Sequence, residues 1–396
     1  MPSIQPNVLQ WARETAGLSL DDAAEKIGIH GEAAAERLRA FEIGDREPSR
    51  AQLVRMAKAY RRSLLTLYLS EPPPKGDRGQ DFRTLPQRQT TNEPLVDTLV
   101  RDVRTRQATV RSAIEEDPDV RPLAFVASMT ANQGVTTVAD SIRQTFGFNV
   151  AEFRAQGSVD AAFSYLRSKA EAAGVFVLLM GNLGTHHTDI EVSAFRGFAL
   201  ADPIAPFVVI NDHDARSAWS FTLLHELAHL WLGATGISGL YGESQLERFC
   251  NDVASSLLLA AAELETLEVN SGVDEAIAVQ RITEFAEPRF VSRAMIAYRL
   301  FRIGRISEQT WNNVTLAFRR EGQEGRQAER ERNQQREGGP NYYVVRGHRL
   351  GTALLRFVEQ CVNTGVLTPT KASLVLGVKP HSVAPLLSTL HRGRAA

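Results

Sequence analysis

The chain has 396 residues, 43% hydrophobic and 23% charged, which is too long for one ordinary core and fits two or three domains. Lysine plus arginine (45) almost cancels aspartate plus glutamate (46), so no whole-molecule charge draws it to nucleic acid or to an anionic membrane. Two cysteines, Cys250 and Cys361, make neither a disulfide framework nor a metal pair, and Met1-Pro2-Ser3-Ile4-Gln5-Pro6 has no leader pattern; a reduced, cytoplasmic protein with no membrane partner is expected.

Residues 1–71 read as short helices. Val8, Leu9 and Ala12 recur at helical spacing, as do Leu53, Met56, Ala57 and Tyr60, while Gly17, Gly28 and Gly44 punctuate. The helix-then-turn of Leu18-Ser19-Leu20-Asp21-Asp22-Ala23-Ala24-Glu25-Lys26-Ile27-Gly28, with a second helix closing at Gly44, resembles the Xre/Cro-type helix-turn-helix. That resemblance implies DNA contact through the second helix of the motif, with Arg37, Arg39, Arg46 and Arg50 as the basic side chains for DNA or for a protein partner. Against DNA stands the helix itself: His30-Gly31-Glu32-Ala33-Ala34-Ala35-Glu36 offers two carboxylates and three alanines to a groove that wants Arg, Asn or Gln. Docking of a protein, or homodimerisation, is the alternative use.

Residues 72–118 form a proline-led linker, Pro72-Pro73-Pro74, followed by a long helix over about 93–116. The segment 119–310 alternates. Strands are expected at 123–127, 175–179, 194–200 and 206–210, and helices at 138–146, 159–173 and 215–232. Residues 311–340 become a spacer dominated by arginine, glutamate and glutamine, and 341–396 a small helical module, itself with some helix-turn-helix character. The fold class is α+β, mostly helical, with a short mixed sheet.

The chemistry concentrates in His225-Glu226-Leu227-Ala228-His229. Histidines four apart share one helical face and can reach the same zinc ion, about 2.0–2.1 Å from each nitrogen. Glu226 lies beside that face, placed to take a proton from an attacking water as general base. Leu223, Leu224, Leu227 and Leu230 anchor the helix, and Gly233 ends it. A third ligand is needed. Of the acids in Glu243-Ser244-Gln245-Leu246-Glu247-Arg248-Phe249-Cys250-Asn251-Asp252, Glu247 opens an otherwise apolar helix and faces inward more readily than Glu243; Asn251 follows one turn later.

The run from Phe195-Arg196-Gly197-Phe198-Ala199 through Pro206-Phe207-Val208-Val209-Ile210-Asn211 to the histidine helix, then Glu247 to Ala254, resembles the ImmA/IrrE metallo-endopeptidases. The resemblance is close over about 190–262 and looser to about 305. It departs at Cys250, where alanine is usual. It implies a small zincin fold, one Zn2+ per chain held by His225, His229 and Glu247, and a protein substrate, often a transcriptional repressor; Asn251, on the same face of its helix as Glu247, is expected to orient that carboxylate. Zincins bind substrate as an added strand, for which 194–200 or 206–210 would supply the edge. The oxyanion donor stays open among Tyr241, His213 and Arg216, and His186, His187 and His348 have no evident partners for a second metal. Two rival readings remain: a DNA- or partner-binding regulator, antitoxin-like, and a scaffold whose metal is structural.

Overall fold

The computed structural model describes residues 4–73, 80–81, 93–185, 188–238, 245–334 and 341–392, and it divides into two compact units. The first unit draws on residues up to 78, on 86–102 and on 182–190; the second takes 79–85, 103–181 and everything from 191. Most described residues are helical.

In the first unit, α1 (Pro6–Thr15) starts with a proline, where the missing N–H has no intrahelical partner to lose. The Ser19 hydroxyl accepts from the Asp22 N–H to cap α2 (Leu20–Ile27), which stops at Gly28 in the left-handed region, φ 77°. Next come α3 (Ala34–Glu42) and α4 (Arg50–Ala59), the latter opened by a Ser49–Gln52 capping box. Leu9, Ala12, Ile27, Leu38, Leu53, Met56 and Tyr60 close a core of their own. Within it Arg13 grips Glu42 through two bonds of 2.7 and 2.9 Å. Both side chains are nearly dry, so the planar fork satisfies a carboxylate that would otherwise be costly to bury.

The second unit contains β1 (Gln80–Asp81), the C-terminal half of α5 (Glu93–Ile114), α6 (Val135–Phe146), α7 (Val150–Arg154) and α8 (Val159–Ala172). Then follow β2 (Phe176–Leu179), β3 (Gly197–Leu200), β4 (Phe207–Ile210), α9 (Arg216–Trp231), β5 (Gly236–Ser238) and α10 (Gln245–Leu258). The strands make one mixed sheet in the order β1-β5-β3-β4-β2, with β2 parallel to β4 and β3 antiparallel to both β4 and β5. Every residue of β2, β3 and β4 is buried, which explains why they read as unbroken apolar runs and not as alternations. Neither β3 nor β4 is an edge strand, contrary to expectation: each has a neighbour on both sides.

Residues 123–127 also depart from expectation. They are turn, not strand, and their apolar side chains serve α9: Phe125 stacks on Trp231 at 4.5 Å between ring centroids. The Ala127 and Met129 N–H groups donate to the Leu230 and Trp231 carbonyls at 2.9 and 3.1 Å, closing the C-terminal end of that helix. Ala127 accepts a left-handed φ of 55° to do so.

Four helices complete the middle of the unit: α11 (Ala261–Glu265), α12 (Glu275–Ala286), α13 (Arg293–Arg302) and α14 (Glu308–Gln334). Of the charged stretch 319–340, a solvated helix or a spacer by its composition, the part up to Gln334 continues the helix that begins with apolar contacts at Val314 and Phe318, and 335–340 lie outside the described residues. The remaining helices are α15 (Tyr342–Leu350), α16 (Thr352–Asn363), α17 (Pro369–Leu376), α18 (Val383–Leu387) and α19 (Thr389–Arg392). They are tied to α8 and β2 through Arg167. This buried guanidinium pairs with Glu171 at 3.0 Å, donates to the carbonyls of His348 and Val177, and Glu171 accepts from the Ala353 N–H at 3.1 Å.

Candidate metal centre

The sequence suggests an amphipathic site helix, but α9 is buried almost all round: only Arg216, Ser217 and Phe221 escape. Its polar residues therefore stand inside the protein, where they must be matched by other groups. β3 and β4 cover one side, α8 and α6 others, and α10 packs along it. Trp231 fixes the end, with Phe125 on its face, Phe146 at its edge (5.2 Å), and its indole N–H donating to the Ser141 hydroxyl at 3.0 Å.

A four-residue interval brings the two histidines together, each through Nε2, at 3.0 Å. Glu247, in the first turn of α10, reaches both: Oε2 lies 3.2 Å from Nε2 of His225 and Oε1 lies 3.0 Å from Nε2 of His229. All three residues are at most 4% exposed. Among the described residues this is the one cluster of three or more metal-capable side chains. Two imidazole nitrogens 3.0 Å apart, each with an oxygen of the Glu247 carboxylate within 3.2 Å, are a zinc donor set at a spacing the ion can bridge. The residues fit the ion.

The electrostatics agree. Burial alone would push the Glu247 carboxyl up, but the facing His225 and then His229 outweigh it and hold it at about 2. Burial would likewise lower His225, yet Glu247 prevails and raises it, aided by the Glu226 charge and by a hydrogen bond that the ring donates to Asn251, one turn along α10. For His229 burial wins, and the imidazole is held below its usual value. Cys250, beside Glu247 in sequence, is driven far up by burial and stays a neutral thiol outside the cluster.

Glu226 is fully buried and outside the three-ligand group. Its carboxylate lies against the backbone of β3 at Gly197, where a Cβ would come within 2.7 Å of Oε1 and of Thr222 Cγ2. Gly197 therefore lies against the site; the sequence places it in the run that carries the resemblance but gives no sign of its contact with Glu226. Only a backbone without a side chain lets the strand approach so closely.

The other sequence candidates lie elsewhere. Arg216 is exposed and ion-paired with Asp160, and His213 sits over Gly181 with its backbone N–H on the Asn211 side chain. Tyr241, Glu243, His186 and His187 lie outside the described residues. Among the described residues His348 joins no metal-capable cluster; its carbonyl serves Arg167. All four N-terminal arginines, Arg37, Arg39, Arg46 and Arg50, are exposed; Arg37 is turned back onto the carbonyls of His30 and Ala33.

Helix α10 is held from behind by α13. Arg299 donates to the Ser255 hydroxyl at 3.0 Å and Arg302 to Asp252 at 2.8 Å. These bonds fix the helix that carries Glu247 independently of any ion.

Comparison with known families gives one match: the M78 peptidase model, described as the IrrE N-terminal-like domain, fits residues 181–301. The matched span includes β3, β4, α9 and α10, and α13 up to Phe301, and so the whole cluster. It supports a peptidase, and a metallopeptidase-type function, for this part of the chain. No curated protein and no solved structure matches. No helix among the described residues is long and apolar enough to cross a membrane.

Proposed function

We propose that the chain is a zinc-dependent endopeptidase of the ImmA/IrrE type that cuts a protein substrate, a transcriptional repressor or other regulatory partner. The carrying observation is the meeting of His225 Nε2, His229 Nε2 and the Glu247 carboxylate within 3.0–3.2 Å, with Glu226 alongside. Zinc bound there would act as a Lewis acid on the scissile carbonyl and on the attacking water. Glu226, packed against the backbone of Gly197, takes the proton of that water at its carboxylate and returns one to the leaving amine. Glu247 stays ionised and available to the ion, because both histidines depress it. Asn251 braces His225 through a hydrogen bond.

The test is metal content by plasma mass spectrometry, run beside cleavage of candidate repressors. Wild type and Glu226→Gln are expected to carry about one zinc per chain, and only wild type to cleave, the loss in Glu226→Gln being of the general-base size, about 100-fold or more. A wild type that stays metal-free after zinc supplementation would sink the reading.

We read the first unit as an Xre-type helix-turn-helix, α2 and α3 being joined at the left-handed Gly28. Its exposed Glu32 and Glu36, and the engagement of Arg37 with its own loop, favour a protein partner over the phosphate backbone. Anisotropy with duplex DNA at about 50 and 200 mM salt decides it: binding that falls steeply with salt would restore the DNA reading.

A further inference from the structure

β3 is the strand against which Glu226 rests, and it has two sides. One pairs with β4. The other is the edge on which an extended peptide would add as a further strand, with its backbone beside the general base. That edge is already taken. β5 pairs along it antiparallel, Gly197 opposite Ser238, Phe198 opposite Ile237 and Ala199 opposite Gly236. β1 then adds outside β5 in parallel, Gln80 against Gly236 and Asp81 against Ile237. The near end of β5 is fastened by Thr235, whose hydroxyl accepts the Ala201 N–H just beyond β3 at 3.0 Å.

Strands lie about 4.8 Å apart, so β5 occupies the first position out from Gly197 and β1 the second, about 10 Å away. A substrate strand cannot bond to β3 while β5 holds those groups. The occupant pairs antiparallel to β3, comes from the same chain, and directly follows the helix that carries both histidines. It is also short. Three residues of β5 and two of β1 make few ladder bonds, and segments of this kind open at a small fraction of the global unfolding free energy.

We propose that β5, braced by β1, is an intramolecular plug on the substrate-pairing edge, and that the peptidase is restrained until this pair of strands is displaced. The inference rests on the peptidase reading above. It makes the substrate a segment that can compete as a strand, extended and free of proline at the paired positions.

The experiment uses the full chain with Ile237→Pro, which removes an N–H and fixes φ within β5. A second variant, Gln80→Pro with Asp81→Pro, removes the brace and leaves the β5 sequence intact. Three readouts are taken on each: hydrogen exchange of the amides at 198–200, zinc content, and cleavage of reduced, alkylated casein. Ile237→Pro is expected to speed exchange at 198–200, keep wild-type zinc and raise cleavage at least fivefold. The linker variant gives a smaller gain, and adding Glu226→Gln to either abolishes it. Unchanged exchange at 198–200 in both variants would overturn the plug, as would faster exchange in zinc-loaded protein without a gain in cleavage. A wild type that binds no zinc, or a gain that survives Glu226→Gln, would overturn the peptidase reading instead.

Discussion

Gly197 and Glu226 stand in direct apposition: a single methyl group on the strand would come within 2.7 Å of the carboxylate oxygen and within 3.1 Å of Cγ. Buried on every side, Glu226 cannot yield by turning into solvent. Gly197→Ala is therefore expected to shift the carboxylate while the three ligands keep their places. Cleavage should fall about 10- to 100-fold, as for a misplaced general base, with zinc still at one per chain. Loss of zinc together with activity would mean that the strand and not the carboxylate had moved.

A metal held by three buried side chains adds to folding free energy. At a free zinc concentration about 100 times Kd the gain is about 2.7 kcal/mol. Chelation should accordingly lower the Tm of wild type by several degrees and restoration of zinc should reverse it. Glu247→Ala removes one of three donors, so its Tm should not respond to either treatment. A chelator-insensitive wild type that contains zinc would place the ion elsewhere.

Away from the site, Glu263 on α11 is held by Arg154 at 2.8 Å and Arg289 at 3.2 Å, and accepts the Ala260 N–H. Burial opposes ionisation, but Arg154, the Ala260 amide and Arg289 together lower its pKa below the ordinary 4.5. A carboxylate with a depressed folded pKa stabilises above its unfolded value, and that contribution fades as pH falls through the folded one. Because the side chain is 27% exposed, screening limits the effect to about 1–2 kcal/mol. Urea unfolding of Glu263→Gln should show this deficit at pH 7 and a shrinking one below pH 4.5. A deficit independent of pH would point to packing.

Gly351 connects α15 to α16 at φ 83°, with Glu171 Oε1, Arg167 Nη2 and the Val177 carbonyl crowding the space a Cβ would fill, at 2.3, 2.5 and 2.9 Å. Gly351→Ala should cost about 2–4 kcal/mol through backbone strain and the broken pair. Limited proteolysis should then release residues beyond 351 sooner than in wild type.

The local pattern of the site helix is legible because its chemistry depends on spacing alone: histidines four apart must share a face, and a glycine must end the run. β2 and β4 are legible for the same kind of reason, since buried strands are continuous apolar stretches. Residues 123–127 look identical in composition but turn, because Phe125 finds Trp231 and the backbone finds the end of α9, a partner about a hundred positions later. Gly197 gives no local sign of its role, which depends on a carboxylate brought from another element. β5 is hidden too. Three residues are too few for a period to register, and its pairing with β3 and β1 is a matter of tertiary closure.

The buried guanidinium of Arg167 carries a consequence for synthesis. Its carbonyl partners at His348 and Arg349 lie 181 and 182 positions downstream. At about 5–20 residues per second, a ribosome delivers them on the order of ten to forty seconds after α8 has emerged. Through that interval Arg167 has only Glu171 and the Val177 carbonyl as partners, and the rest of its guanidinium stays with water. A message broken before codon 348 thus yields a polypeptide with both histidines, Glu226 and Glu247 but an unsealed cation beneath them. Such a product is a target for degradation before it is ever a peptidase.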